Sequence, residues 1–326
     1  MSESEASELH PMHFKLCYVT SVGDFGGQDF ELQDPKSDIR LVLRPTDSKS
    51  AGYVAGDGFA EASCIRQVPA RLATEARESG VLSVKKGLVG ETDRALSEFT
   101  RRALLAIRWR QGYGGQADPI RIFKGFFWST DGSNWKLVAD TLHAEFGALI
   151  FSLKWSDDLV TAIKQTIQDE KVEPLGHELL YEARALEFNS IRSAIVLAVT
   201  AAEVGFKQFA VDLVPGSKWL VENLPTPPLV RMLREFLPTL PIRRKLVDQQ
   251  HLVPESLLAE LEKAVQLRND VVHGGKGNLK RSTVRSAVKA VRDLLYLLDV
   301  YAGDEWAHMN LSVETFTALT APASHG

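Results

Sequence analysis

A chain of 326 residues with 38 Lys/Arg against 42 Asp/Glu carries a formal charge of -4, which excludes a uniformly basic nucleic-acid binder and leaves only a local patch for that role. Hydrophobic residues at 44% and charged residues at 25% exclude a disordered or fibrous chain, and the length suits about two domains of roughly 150 residues each. The two cysteines, Cys17 and Cys64, form no CxxC pair and suit a reducing compartment, with a single disulfide between them left open.

The first eight residues are acidic and polar, the opposite of a secretory leader, and residues 1–12 read as a disordered start. The longest apolar run, around residues 194–202, is too short for a bilayer span, so the expectation is a cytoplasmic protein with no membrane partner. Residues 13–20 and 39–43 alternate as strands do. Residues 122–128 and 135–138 flank the Asp131-Gly132 step, which supplies hairpin turn chemistry. Between these pairs, residues 91–109 place Leu96, Phe99, Ala103, Leu104 and Ile107 on one side of a helix. Residues 13–170 are therefore expected to form a mixed α/β domain with short strands, of no assigned role.

From Pro174 the texture changes to long helical patterns. Leu175, Leu179, Leu180, Ala183 and Leu186 make one apolar side, and Asn189 or Ser190 caps a second helix that Pro215-Gly216 ends. Residues 224–228 read as a rigid connector before a short helix over 229–236. Pro254-Glu255-Ser256 opens a helix that Gly274-Gly275 closes, and a last helix runs over about 280–301. The overall fold class is α+β, with an all-α up-and-down bundle over 174–302 and a flexible tail over 303–326.

The chemistry concentrates in Leu267-Arg268-Asn269-Asp270-Val271-Val272-His273, at the end of the penultimate long helix. This run, preceded by the helix containing Ser193-Ala194-Ile195-Val196-Leu197-Ala198-Val199-Thr200-Ala201-Ala202-Glu203, resembles the HEPN domain family over about two-fifths of the chain. The resemblance implies a metal-independent endoribonuclease with no cofactor. It also implies a homodimer through the bundle that acts on single-stranded RNA in a stress, toxin or phage-defence setting. The RNA 2′-hydroxyl would attack the adjacent phosphate and leave a 2′,3′-cyclic phosphate. By the same resemblance His273 is the general acid or base, Arg268 holds the scissile phosphate and Asn269 positions RNA or the other two side chains. Glu203 and Lys207, one turn apart, are supporting residues, although an i,i+4 salt bridge between them accounts for the pair equally well. A non-catalytic bundle serving dimerisation or RNA binding is the alternative the resemblance leaves open.

Elementary chemistry suits those roles. An imidazole titrates near neutrality and both takes and gives a proton, while a guanidinium matches phosphate oxygens and stays charged. The plain alternative makes Arg268 a surface ion-pair residue and His273 a helix-terminal cap. Five residues at about 100° each place Arg268 and His273 roughly 140° apart on a helix, so a partner molecule or unwinding at Gly274-Gly275 is needed to bring them together. Between Arg243 and Arg292, eleven Lys/Arg stand against five Asp/Glu. Arg281, Arg285, Lys289 and Arg292 recur there at helical spacing as a possible phosphate track, or as a solvated helix face. The first domain would then bind a regulatory partner. The glycine-rich stretches 23–27 and 111–116 lack the helix start that a nucleotide loop needs, and His143 and His177 read as structural. Arg101-Arg102 and Arg108-Trp109-Arg110 bring basic and aromatic groups together, either for RNA stacking or as arginines snorkelling from a half-buried helix, the latter the stronger reading.

Overall fold

The computed structural model describes residues 9–320, apart from 22–28, 46–57, 86, 113–117, 140–156, 188, 224–227, 247–248, 250 and 275–278. It is α+β, as expected, and divides into two units. The first holds residues up to Arg108 and Asp118–Val172. The second holds Glu173–Gly326 together with Trp109–Ala117, a segment from far upstream.

In the first unit six strands make one antiparallel sheet in the order β2-β3-β4-β1-β5-β6. They are β1 (Leu9–Thr20), β2 (Phe30–Gln33), β3 (Arg40–Pro45), β4 (Gly58–Pro69), β5 (Ile120–Ser129) and β6 (Lys136–Leu137). Strand β1 is not short: its twelve residues pair with all of β4, Leu9 opposite Pro69 and Thr20 opposite Gly58. It also begins within the stretch expected to be disordered, because Met12 continues the buried alternation of Phe14, Leu16 and Tyr18. The hairpin between β5 and β6 forms as expected. Gly132 takes the left-handed conformation (φ 75°) and Asp131 accepts the backbone N–H groups of Ser133 and Asn134.

Helices α1 (Ala70–Ser79), α2 (Gly87–Gln111) and α3 (Asp157–Gln168) complete this unit's core. The five residues that set the apolar side of α2 are all buried, joined by Ala73, Ala76, Ile163 and Ile167. Arg102 pairs with Asp34 at 2.7 Å and Arg101 with Asp118 at 3.5 Å, while Arg108 is 2% exposed, so snorkelling does not describe it. Cys17 and Cys64 are both free, and burial pushes each thiol up to about 12.

The second unit is helical. Its four long helices are α4 (Leu175–Leu186), α5 (Ile191–Leu213), α8 (Glu255–Val272) and α9 (Arg281–Ala302). The short α6 (Lys218–Asn223) and α7 (Leu229–Arg231) lie between α5 and α8, and α10 (Val313–Thr320) follows α9. Helix α5 is central and packs on α4, α8 and α9. It is the one helix among the described residues long and apolar enough to cross a membrane, but its buried face, with Ala194, Ile195, Ala198, Val199, Ala202, Phe206 and Phe209, is bundle core. One expectation changes here and one holds. Helix α5 ends at Leu213, just before Pro215-Gly216, as expected, and those residues open a 3₁₀ turn (Pro215–Ser217) that runs into α6. The tail is not flexible through 303–320: Ala307 and Leu319 are buried, and Asp293 on α9 accepts the Ser312 N–H at 3.1 Å and the Thr315 hydroxyl at 2.7 Å. The connector over 224–227, Gly275, His143 and most of both glycine-rich stretches lie outside the described residues.

Candidate functional site

On α8 the residues Leu257, Leu261 and Ala264 form a buried stripe at helical spacing. Eleven residues on from Leu257 is about 20° round the helix, so Arg268 falls on that same stripe and turns toward α5. A cation on an apolar seam needs a counter-charge, and Glu203 of α5 supplies it. The Arg268 Nη2 donates to Glu203 Oε1 at 2.6 Å, with the two side chains 26% and 15% exposed. The contact is one-pronged: Arg268 Nε is buried with no acceptor among the described residues. Glu203 thus reaches across to α8, and Lys207 stands half-buried one turn further along α5.

His273 is at the other side of the same helix end. It is the residue after the last helical one, exposed, with its backbone N–H bonded to Asn269 O at 2.8 Å. Asn269 is half-buried. The backbone therefore closes α8 at His273 while keeping Arg268 inward and His273 outward, as the 140° separation requires. Within one chain, Arg268 and Glu203 are brought together, and His273 lies exposed just past the helix end. Beside the helix end lies an open groove of about 420 Å³ lined by Leu186, Arg192, Ser193, Val196, Leu197 and Val271.

The cations of the last long helix are not bare. Arg285 lies 3.6 Å from Glu187, Lys289 pairs with Glu314 at 2.9 Å and Arg292 with Asp293 at 3.2 Å, while Arg281 is exposed at the helix start. Arg244, further upstream, pairs with Glu305. The basic stretch of the sequence therefore meets carboxylates that the fold brings in from Glu187, Glu203, Glu305 and Glu314.

A second buried polar cluster is one that single residues do not announce. His177 on α4 is 1% exposed, and its Nε2 lies 2.8 Å from Asp299 Oδ2, off the line of a good hydrogen bond. The same oxygen accepts the Trp109 indole N–H at 3.0 Å. The Tyr296 hydroxyl donates to the Trp109 carbonyl at 3.1 Å and meets the Tyr181 hydroxyl at 3.3 Å. Burial drives the Tyr296 phenol well above its ordinary range, with Tyr181 adding to the rise. Trp306 sets its edge against Trp109, and the Arg110 guanidinium lies 4.1 Å from the Trp306 ring centre. The cluster is sealed and has the character of an anchor. Among the described residues no three His, Cys, Asp or Glu side chains come together as a metal-ligand set.

No family model, no curated protein and no solved structure matches this chain.

Proposed function

We propose that the second unit is a HEPN-type bundle and that the chain is a metal-independent endoribonuclease acting on single-stranded RNA. The observation that carries this reading is Arg268, a half-buried cation on an otherwise apolar helix stripe, five residues before an imidazole exposed at the helix end. In the reaction the 2′-oxygen of RNA bonds to phosphorus, the bond from phosphorus to the 5′-oxygen breaks, and charge builds on the phosphate oxygens. Arg268 neutralises that charge. His273 takes the 2′-hydroxyl proton or gives one to the leaving 5′-oxygen, and Asn269, half-buried between them in sequence, positions RNA. Because Arg268 and His273 diverge within one chain, the complete site draws the imidazole of one copy and the arginine of another across a two-fold axis. The first unit then binds a regulatory partner, and the setting is cytoplasmic stress, toxin or phage defence.

A second reading has its own observation. Arg268, Arg285, Lys289 and Arg292 each already hold a carboxylate. A bundle whose cations are internally matched serves dimerisation or RNA binding without cleavage.

One assay separates the two. A mixed RNA pool is incubated with EDTA and the wild type, His273→Ala, Arg268→Ala or Arg268→Lys. Cyclic-phosphate ends that appear with the wild type and vanish with His273→Ala and Arg268→Ala establish the nuclease. RNA left intact by the wild-type dimer, or cut equally by all variants, transfers the case to the binding bundle.

A further inference from the structure

We infer that Glu203 is an internal latch on Arg268, a built-in rival that RNA phosphate must displace before the arginine can serve. The inference rests on the proposed RNA-binding role of Arg268 and adds its regulation. In the closed state the guanidinium is held by Glu203 at 2.6 Å, so the cation that would meet a phosphate is already neutralised.

Three features make this hold reversible. The contact uses Nη2 alone, whereas the strong form of an arginine–carboxylate pair uses two parallel N–H groups. The adjacent Nε is buried with no acceptor among the described residues, so the closed position leaves one donor of the fork unsatisfied and is not its best arrangement. The arginine keeps 26% of its side chain in solvent, so incoming phosphate has a path to it.

A displaced carboxylate also needs somewhere to go, since a half-buried anion without a partner is costly. Lys207 meets that need. It follows Glu203 by four residues on α5, the spacing at which side chains on one helix face reach each other. The latch thus has two positions: Glu203 on Arg268 across the helix pair, or Glu203 on Lys207 along its own helix. The sequence-based alternatives for Glu203, site support and i,i+4 pair, become its closed and open states.

The test measures binding of a labelled 2′-O-methyl oligonucleotide of mixed sequence, which cannot be cleaved, to the full-length protein over a salt series. Glu203→Gln removes the rival charge and is expected to tighten binding about tenfold. It should also steepen the salt dependence by about 0.7 in the log–log slope, the value for one more phosphate contact on a single strand. Adding Arg268→Ala to Glu203→Gln should abolish both changes. Lys207→Met removes the open-state partner and is expected to weaken binding with the fold intact. Binding by Glu203→Gln that is unchanged or weaker, at an unchanged slope, overturns the latch. So does Lys207→Met binding as the wild type does. The nuclease reading fails separately, through an EDTA-resistant cleavage assay that is blind to His273→Ala. Cleavage that needs His273 but ignores Glu203→Gln keeps the nuclease and discards the latch. Failure of wild type and Glu203→Gln alike to bind the oligonucleotide overturns the latch as well.

Discussion

Asp299 on α9 meets Trp109 and His177, two residues distant in sequence, in the core of the second unit. It is 8% exposed, and one oxygen accepts the indole N–H of Trp109 and lies 2.8 Å from the imidazole of His177. Removing one partner of such a buried pair costs about 3–5 kcal/mol, because the other is left without a counterpart. Asp299→Ala is therefore expected to lower stability by about that amount in chemical denaturation. Trp109→Phe keeps a large ring and loses one N–H donor, so its cost should be nearer 1 kcal/mol. Equal costs for the two substitutions would deny Asp299 this role. The cysteines make a second prediction. With both thiols raised by burial from about 9 to about 12, neither ionises at pH 8 in the folded chain. Iodoacetamide at that pH should label neither Cys17 nor Cys64 until guanidinium is added. A group whose folded pKa is raised stabilises the fold below its unfolded pKa and loses that contribution as pH rises. Unfolding free energy should accordingly fall between pH 9 and 12, where the unfolded thiols ionise and the folded ones do not. A flat profile there, or native-state labelling, would show the thiols to be accessible.

At the scale of elements, α4 and α5 meet where neither has a side chain. A Cβ on Gly205 would come within 2.2 Å of a Leu295 methyl carbon, and one on Gly176 within 2.8 Å of the Gly205 Cα. The helices approach this closely because both residues are glycine. Gly205→Ala should cost about 1–3 kcal/mol, by displacing Leu295 from the core. Gly216→Ala, with nothing within 4 Å, is the control and should be neutral or slightly stabilising in the same thermal melts. The elements themselves were legible where periodicity was strong: α2, α4, α5, α8 and α9 all follow apolar spacing visible in the chain. Strand β4 was not, because its core-facing side is Ala60, Ala62 and Cys64, small residues with little strand preference that are held by pairing with β1 on one edge and β3 on the other. Helix α10 hid for a related reason. Its first turn is fastened by Asp293, a partner about twenty residues upstream that no local pattern reveals. The candidate site was half legible. The excess of positive charge between Arg243 and Arg292 is plain in the sequence. The carboxylates that answer that charge come from Glu187, Glu203, Glu305 and Glu314, distant in sequence and close only in the fold.

On the scale of the whole molecule, the helical unit is not the contiguous stretch 174–302 that composition marks out. It takes in Trp109–Ala117, whose first residues, 109–111, end the helix α2 that begins in the first unit. Texture along the chain could not show this, because the defining contacts are of long range: Trp109 with Asp299, Tyr296 and Trp306, and Asn310 Nδ2 with the carbonyl of Arg110 at 3.4 Å. A fragment of residues 173–326 would keep every long helix of the bundle and lose that segment. The place of an indole that is 3% exposed would be empty, Asp299 would lose the N–H it accepts, and the Tyr296 hydroxyl would lose the carbonyl it donates to. Loss of a buried tryptophan side chain alone costs about 3–5 kcal/mol, a large part of the 5–15 kcal/mol that holds a typical domain together. The fragment should therefore melt well below the intact protein with reduced helicity, and a peptide spanning residues 105–117 added in excess should raise its midpoint. The same peptide carrying Trp109→Ala should not. A fragment that matches the intact chain's helical transition without the peptide would mean that Trp109 decorates the bundle and does not complete it.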